Sequence, residues 1–263
     1  MARALIYLLV LAIGAAALPF ISPSSVPFLL ITGGMIAITI PLLDAVASNV
    51  HYLRLGWYSV RYWRRSIRLS VSYLFRIKVD DTYLLVRSRR RPTYGPVGGV
   101  YKVSPGAKEI LDEIHALDDS LIPIDEVSRH DLRIHIRGRR LITFVKWFES
   151  GHSRETSPWR EFSEELIKPG MLSAAQFPYI FHDFVRRDIR PLKYSEQAQS
   201  MELRIADIHE LLPTPEQYEV LKELKQAGSP EIFWATQDQI RRLGAVPGKP
   251  QEITIGEPAT WIL

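Results

Sequence analysis

The feature that most constrains the fold is an uncharged stretch from residue 4 to residue 43. A polar break, Ser22-Pro23-Ser24-Ser25, divides it into apolar runs at 4–21 and 26–43. Each run has about the 17–25 residues that a helix needs to cross a bilayer. The sequence therefore predicts a two-helix transmembrane hairpin in residues 1–46. A cleaved signal peptide, ending near Ala15-Ala16-Ala17, is the alternative for the first run.

Residues 47–78 form a basic and aromatic connector. No Asp or Glu occurs between residues 45 and 79, and the basic residues there are Arg54, Arg61, Arg64, Arg65, Arg68, Arg76 and Lys78. Loops rich in Lys and Arg stay in the cytoplasm, so the C-terminal domain is predicted to be cytoplasmic. The apolar spacing of Leu53, Trp57, Val60, Trp63 and Ile67 predicts a helix that continues the second span or lies on the inner leaflet. Nucleic-acid binding is the alternative interpretation.

Charge is divided unevenly along the chain. The 33 basic and 29 acidic residues include 8 basic residues and one acid in residues 1–79, which leaves 25 and 28 for the rest. The basic excess thus belongs to the membrane-proximal part, and no DNA or RNA polymer is expected as a partner of the remainder. Cysteine is absent, which excludes disulfides, zinc thiolates and thiol nucleophiles.

Residues 79–263 are predicted to form one α+β domain, a mixed β-sheet flanked by helices. Strands are predicted at 81–87, 98–103, 131–136, 179–188, 202–211 and 253–255, and helices at 105–117, 139–148 and 158–168. Two further helices should begin after Thr214 and Thr236, because each is followed three residues later by Gln in a capping-box pattern.

The helix predicted at 158–168 carries Glu161, Glu164 and Glu165. Ser157 is a suitable N-cap, and Lys168-Pro169-Gly170 ends the helix. Residues three and four apart share a helix face, so these carboxylates can converge on a hard cation such as Mg²⁺. The simpler interpretation is a solvated acidic face paired with nearby arginines.

Three segments together resemble the Nudix domain: Leu84-Leu85-Val86-Arg87, Gly95-Pro96-Val97-Gly98-Gly99-Val100 and Arg160-Glu161-Phe162-Ser163-Glu164-Glu165. The resemblance implies that Glu161, Glu164 and Glu165 are metal ligands, catalytic if the domain is active, and that Arg160 orients them. The glycine turn and the acidic helix are adjacent in that family, but about 60 residues separate them here. We therefore expect an insertion at about 103–156.

The whole layout resembles the two-span Nudix-like effectors of bacterial CBASS antiphage systems, which carry the SMODS-associated Nudix domain. Further segments carry this resemblance: Asp131-Leu132-Arg133, Trp147-Phe148-Glu149-Ser150-Gly151 and Ile205-Ala206-Asp207. It implies a multi-pass inner-membrane protein that binds a cyclic oligonucleotide, assembles into a homo-oligomer and disrupts the membrane, leading to abortive infection. The alternative is a membrane-tethered, Mg²⁺-dependent Nudix hydrolase of nucleoside diphosphate derivatives.

Candidate ligand-binding residues follow the first strand of the domain. Arginine side chains suit phosphate oxygens, Tyr94 could stack on a base, and glycine allows the backbone to approach a ligand closely. The predicted ligand-binding set is Arg87, Arg89, Arg90, Arg91, Tyr94, Gly98, Gly99 and Arg160. His130 and His135 have no matching carboxylates and are not predicted to bind a metal.

Overall fold

The computed structural model describes residues 2–89, 91–119, 130–196, 198–248 and 250–263. The chain divides into two compact units, Met1–Arg61 and Tyr62–Leu263.

The first unit is helical. It contains helix α1 (Ala2–Ala17), a 3₁₀ turn (Leu18–Phe20), helix α2 (Val26–Ser48) and helix α3 (Val50–Arg61). Within the described residues, α2 is the one helix long and apolar enough to cross a membrane, by length and composition, whereas α1 is shorter. An N-terminal anchor is thus supported at α2, and the span predicted from the first apolar run, at 4–21, stays a prediction.

Hydroxyl side chains of helix α2 and its N-cap bond to the backbone of the helix. The Ser25 side chain accepts a hydrogen bond from the Phe28 amide and caps the N-terminus. Thr32 and Thr39 donate their hydroxyls to backbone carbonyls one turn earlier, each over 2.8 Å. A hydroxyl bonded in this way does not need water, which suits a helix in a bilayer.

The second unit is α+β, as predicted. Its strands are β1 (Ser66–Arg76), β2 (Lys78–Val79), β3 (Thr82–Arg87), β4 (Tyr94–Pro96), β5 (Gly98–Val100), β6 (Leu117–Asp118), β7 (Arg133–Arg137), β8 (Phe181–Ile189), β9 (Lys193–Ser195), β10 (Ser200–Leu212) and β11 (Ile232–Thr236). Its helices are α4 (Lys108–Glu113), α5 (Leu141–Ser150), α6 (Trp159–Phe162), α7 (Pro215–Ala227) and α8 (Gln237–Arg241). The unit also contains short 3₁₀ turns at Pro105–Ala107, Gly138–Arg140 and Glu257–Ile262. A π-helical turn lies at Ser163–Ile167.

Strands β1 and β10 form the centre of a mixed seven-stranded sheet. They run parallel over ten residue pairs, from Ile67↔Met201 to Arg76↔Glu210. The order across the sheet is β6-β7-β1-β10-β8, with β5 also paired to β1 and β9 to β10. A second sheet of four strands has the order β11-β3-β2, with β4 paired to β3.

The predicted start of the domain at residue 79 is wrong. Strand β1 lies between β7 and β10 and has buried side chains at Ile67, Leu69, Val71, Tyr73 and Phe75. The connector therefore contains a helix, α3, only as far as Arg61. Strand β1 carries the polar residues Arg68, Ser70 and Ser72 at alternate positions. This composition favours a basic connector at the membrane surface, so the sequence does not predict the strand.

The predicted insertion at 103–156 is partly built into the core. Strand β7 pairs with β1, and α5 buries Leu141, Phe144, Val145 and Phe148. The predicted pairing of the strands near 179–188 and 202–211 is confirmed by the antiparallel β8–β10 ladder, and both capping boxes are present. The strand predicted at 253–255 is absent from the described residues, where Ile255 makes one isolated bridge to Tyr94.

Candidate functional site

The fold brings the glycine strand and the acidic helix together, although about 60 residues separate them in sequence. The Gly98 amide donates to Glu165 Oε2 over 2.9 Å. Two strand residues further on, the Val100 carbonyl accepts from Arg160 Nη2 over 2.9 Å. The separated parts of the Nudix-like pattern thus form one site.

Glycine is required at Gly98, and a side chain at Gly99 would have to displace Glu161. At Gly98, φ is +152°, and a Cβ atom there would lie 2.2 Å from the Tyr73 carbonyl oxygen. At Gly99, a Cβ would lie 1.9 Å from Glu161 Oε1. Neither distance is sterically possible for a side chain. The close approach predicted for these glycines is made to strand β1 and to Glu161.

The acidic helix changes geometry along its length. Helix α6 is α-helical, and the following Ser163–Ile167 turn is π-helical, closed by a 2.8 Å bond from the Lys168 amide to the Ser163 carbonyl. Phe162 and Leu166 are buried in the core on one side of the helix. Single π-helical turns occur often at functional sites. Here the turn carries Glu164 and Glu165.

The predicted N-cap, Ser157, is one residue too early, because Pro158 occupies the N-cap position and the helix begins at Trp159. The Ser157 hydroxyl still accepts from the Trp159 amide over 3.3 Å, from just outside the helix.

Arg160 is the centre of an ion network. Its guanidinium lies 3.0 Å from Glu155 Oε1, 2.7 Å from Glu161 Oε1 and 3.3 Å from Glu164 Oε2. These four side chains are only 15 to 26% exposed. Burial disfavours the charged guanidinium, but bonds to Glu155 and attraction by Glu161 hold the pKa of Arg160 above its ordinary value. Arg160 thus stays charged and orients Glu161, as the resemblance implies.

Glu165 is the most perturbed carboxyl of the site. Burial raises its pKa from 4.5 to about 8, and the hydrogen bond from the Gly98 amide opposes this shift. Burial also raises the pKa of Glu161, against the attraction of Arg160. Carboxyls whose pKa is raised in a cleft are common at functional sites.

The three predicted metal ligands do not fit a Mg²⁺ centre in this arrangement. Glu161 and Glu164 are bonded to Arg160, Glu164 also lies 3.4 Å from Lys168 Nζ, and Glu165 is bonded to the Gly98 amide. In the part of the chain that the structure describes, no group of three or more His, Asp or Glu side chains is placed to hold a metal ion. The interpretation of these carboxylates as partners of arginine matches the contacts.

The basic turn after β3, which carries Arg89 and Arg91, contacts the acidic helix through Arg89. Arg89 donates from Nη2 to the Glu164 carbonyl oxygen over 3.2 Å. An open depression next to it is lined by Arg87, Ser88, Arg89, Arg91, Pro92 and Glu231. The Arg87 guanidinium lies 3.8 Å from the Glu231 carboxylate, and both are about half exposed. Arg90, also predicted to bind ligand, lies outside the described residues.

Tyr94 is held by contacts with the segment around β11. Its hydroxyl donates to the Pro230 carbonyl oxygen over 2.7 Å, and its ring packs against Phe233 with centroids 5.7 Å apart. These contacts hold β4 against the β11 end of the small sheet. The predicted stacking of Tyr94 on a base stays a prediction.

Two residues of the site were not found from the sequence. Glu155 accepts from Arg160, from the Lys102 amide over 3.2 Å and from the Tyr73 hydroxyl over 3.4 Å. The signal available was an acid five residues before Arg160, but it has no place in the Nudix-like pattern. Tyr73 was hidden because its strand was assigned to the connector.

Comparisons with known proteins identify the family of the chain. No curated protein and no solved structure matches the chain. A family model, the SMODS-associated NUDIX domain, matches residues 66–263, which begin with strand β1 and include the glycine strand and the acidic helix. The chain therefore belongs to the family of SMODS-associated NUDIX domains.

Proposed function

We propose that this protein is a membrane-anchored effector of a CBASS-type antiphage system, and that its Nudix-like unit is a receptor for a cyclic oligonucleotide. Membership of the SMODS-associated NUDIX family supports the effector role. Helix α2 supports the anchor. The receptor role, the identity of the ligand and the effect on the membrane are the parts that experiments must test.

The observation that carries the receptor role is the position of Arg160. Its guanidinium lies among Glu155, Glu161 and Glu164, so these carboxylates are paired with a positive charge of the protein itself. Such pairing fixes the carboxylates in position, as a preformed binding site requires. Binding without turnover is the chemistry that this arrangement favours.

The exposed basic turn is the surface that would contact the phosphates. Arg87, Arg89 and Arg91 are exposed and line the same open depression. Planar guanidinium groups pair with phosphate oxygens through two parallel hydrogen bonds. A cyclic oligonucleotide presents several phosphodiester groups with its bases outward, so one phosphate would engage this turn.

Binding is tested with full-length protein in detergent, incubated with a panel of cyclic di- and trinucleotides, followed by mass identification of the bound species. We expect an intact cyclic nucleotide to be recovered. The double variant R89A/R91A should weaken its binding by about tenfold or more, since two charged hydrogen-bonding groups are removed. R241A, which removes an exposed arginine of helix α8, is the matched control and should bind normally. Recovery of no cyclic nucleotide contradicts the proposal.

The effect on the membrane follows only if the ligand distinguishes two states of the protein. A ligand drives assembly when it binds the assembled state more tightly than the resting state. Full-length protein in dye-loaded vesicles should therefore release dye on addition of the bound nucleotide. Binding without assembly or leakage would restrict the protein to a sensor.

The hydrolase remains a second candidate, because Glu161 and Glu165 lie against the glycine strand and Glu164 lies next to them on the same helix. It predicts Mg²⁺-dependent consumption of a linear nucleoside diphosphate derivative that E164Q/E165Q abolishes. With Mg²⁺ and linear nucleoside diphosphate derivatives added to the recovery assay, unchanged linear substrates would reject this candidate, and turnover would replace the receptor with an enzyme.

A further inference from the structure

Helix α3 exposes an apolar stripe directly after the membrane-crossing helix. Val50 is 60% exposed, Leu53 55%, Trp57 64% and Val60 67%. With 3.6 residues per turn, these four positions fall within an arc of about 80° on one side of the helix. The opposite side holds the buried residues Leu55 and Ser59. The stripe is thus a coherent face and not a scatter of single apolar residues.

Water is a poor environment for this face. A contiguous patch that includes a tryptophan and three aliphatic side chains marks a contact surface on most proteins. Helix α2 ends at Ser48 and α3 begins at Val50, so only Asn49 separates the stripe from the span. The continuity with α2 places α3 at the level where the bilayer meets water.

The basic charge around the stripe also favours the boundary between bilayer and water. Arg54 and Arg61 lie at its border on the helical wheel, and the exposed Arg64 and Arg65 follow the helix. No acidic residue occurs between residues 45 and 79. Tryptophan favours the headgroup level, and a basic segment is attracted to anionic lipid.

We infer that α3 is an interfacial helix, with Val50, Leu53, Trp57 and Val60 inserted among phospholipid headgroups of the leaflet where α2 ends. The partner that covers this face is the lipid surface. The inference rests on the membrane anchoring in the proposed function and not on nucleotide binding.

The absence of cysteine makes a direct test possible. Single cysteines at positions 53, 57 and 60 (L53C, W57C, V60C) carry a nitroxide spin label on full-length protein in vesicles of phosphatidylcholine and phosphatidylglycerol. Oxygen, which partitions into lipid, and a water-soluble nickel chelate then report the surroundings of each label. Q226C, at an exposed position of helix α7, is the control in water.

Labels at 53, 57 and 60 should show an oxygen-to-nickel collision ratio several-fold above that at 226. A ratio equal to that of the control would overturn the inference, because the stripe would then face water. Exclusion of both reagents would also overturn it, because protein would then cover the stripe. The measurement needs no nucleotide, so a failure of ligand binding leaves its result unchanged and is detected separately by the recovery assay.

Discussion

Gly99 and Glu161 lie so close that a Cβ on residue 99 would be 1.9 Å from Glu161 Oε1. The carboxylate fills the space that a side chain would occupy, and Arg160 holds it there over 2.7 Å. The strand and the helix are therefore fitted to each other at this one contact.

Gly99→Ala should displace Glu161 and damage the site. We expect the free energy of unfolding to fall by about 1–3 kcal/mol, as for overpacking elsewhere, and nucleotide binding to weaken at least tenfold. Gly95→Ala is the matched control, because a Cβ at Gly95 meets nothing within 4 Å. Thermal unfolding and ligand titration of both variants test this. Equal behaviour of the two variants would mean that Glu161 moves aside freely.

Glu155→Gln should loosen Arg160. The substitution keeps the shape of the side chain but removes the charge that accepts from Arg160 Nε over 3.0 Å. Since both groups are mostly buried, we expect a loss of about 1–3 kcal/mol in the free energy of unfolding. Denaturant unfolding measures it. Glu219→Gln, which removes an exposed partner of Lys222 on α7, should change it by less than about 0.5 kcal/mol. Similar losses in both variants would argue against a special role for Glu155.

Glu165 should make the folded protein less stable as pH rises. Its pKa is about 8 in the folded state and 4.5 ordinarily, so the folded state binds more protons between these values. The free energy of unfolding therefore falls from pH 4.5 to pH 8, by at most about 1.4 kcal/mol per pH unit, and then levels off. Glu165→Gln should remove this fall.

Other groups titrate in the same range, so the test is the difference between wild type and Glu165→Gln. Burial lowers the pKa of His209 to about 4, which acts in the opposite direction below pH 6.5. Because His209 is present in both proteins, its effect cancels in the difference. Parallel stability curves from pH 5 to pH 8 would show that Glu165 ionises normally.

Local patterns predicted much of this fold. The capping boxes after Thr214 and Thr236 placed two helix starts, and the spacing of Phe144 and Phe148 placed the buried face of α5. Each signal depends on residues within one or two turns of each other, which is why a single sequence contains it.

The centre of the larger sheet could not be predicted in this way. Strand β1 follows the apolar helix α2 and the helix α3 and carries Arg68 and Arg76, so its composition is that of a basic connector. Arg68 is buried because Asp119 and Glu202, far away in sequence, neutralise it. Glu155 was missed for the same reason, since its partners Tyr73 and Arg160 come together only in the folded unit. Contacts over long sequence separations leave no local pattern.

The placement of β1 predicts where the chain can be cut. A protein beginning at residue 62 retains β1, whereas one beginning at residue 79, the boundary that composition suggests, loses the strand that pairs with β5, β7 and β10. The protein that begins at residue 79 would expose the apolar faces that Leu69, Val71 and Phe75 cover. Residues 62–263 should therefore unfold in one cooperative transition on heating, while residues 79–263 should be insoluble or show no transition by circular dichroism. Cooperative unfolding of the shorter chain at the same temperature would mean that β1 adds nothing to the core, and that the folded unit begins after it.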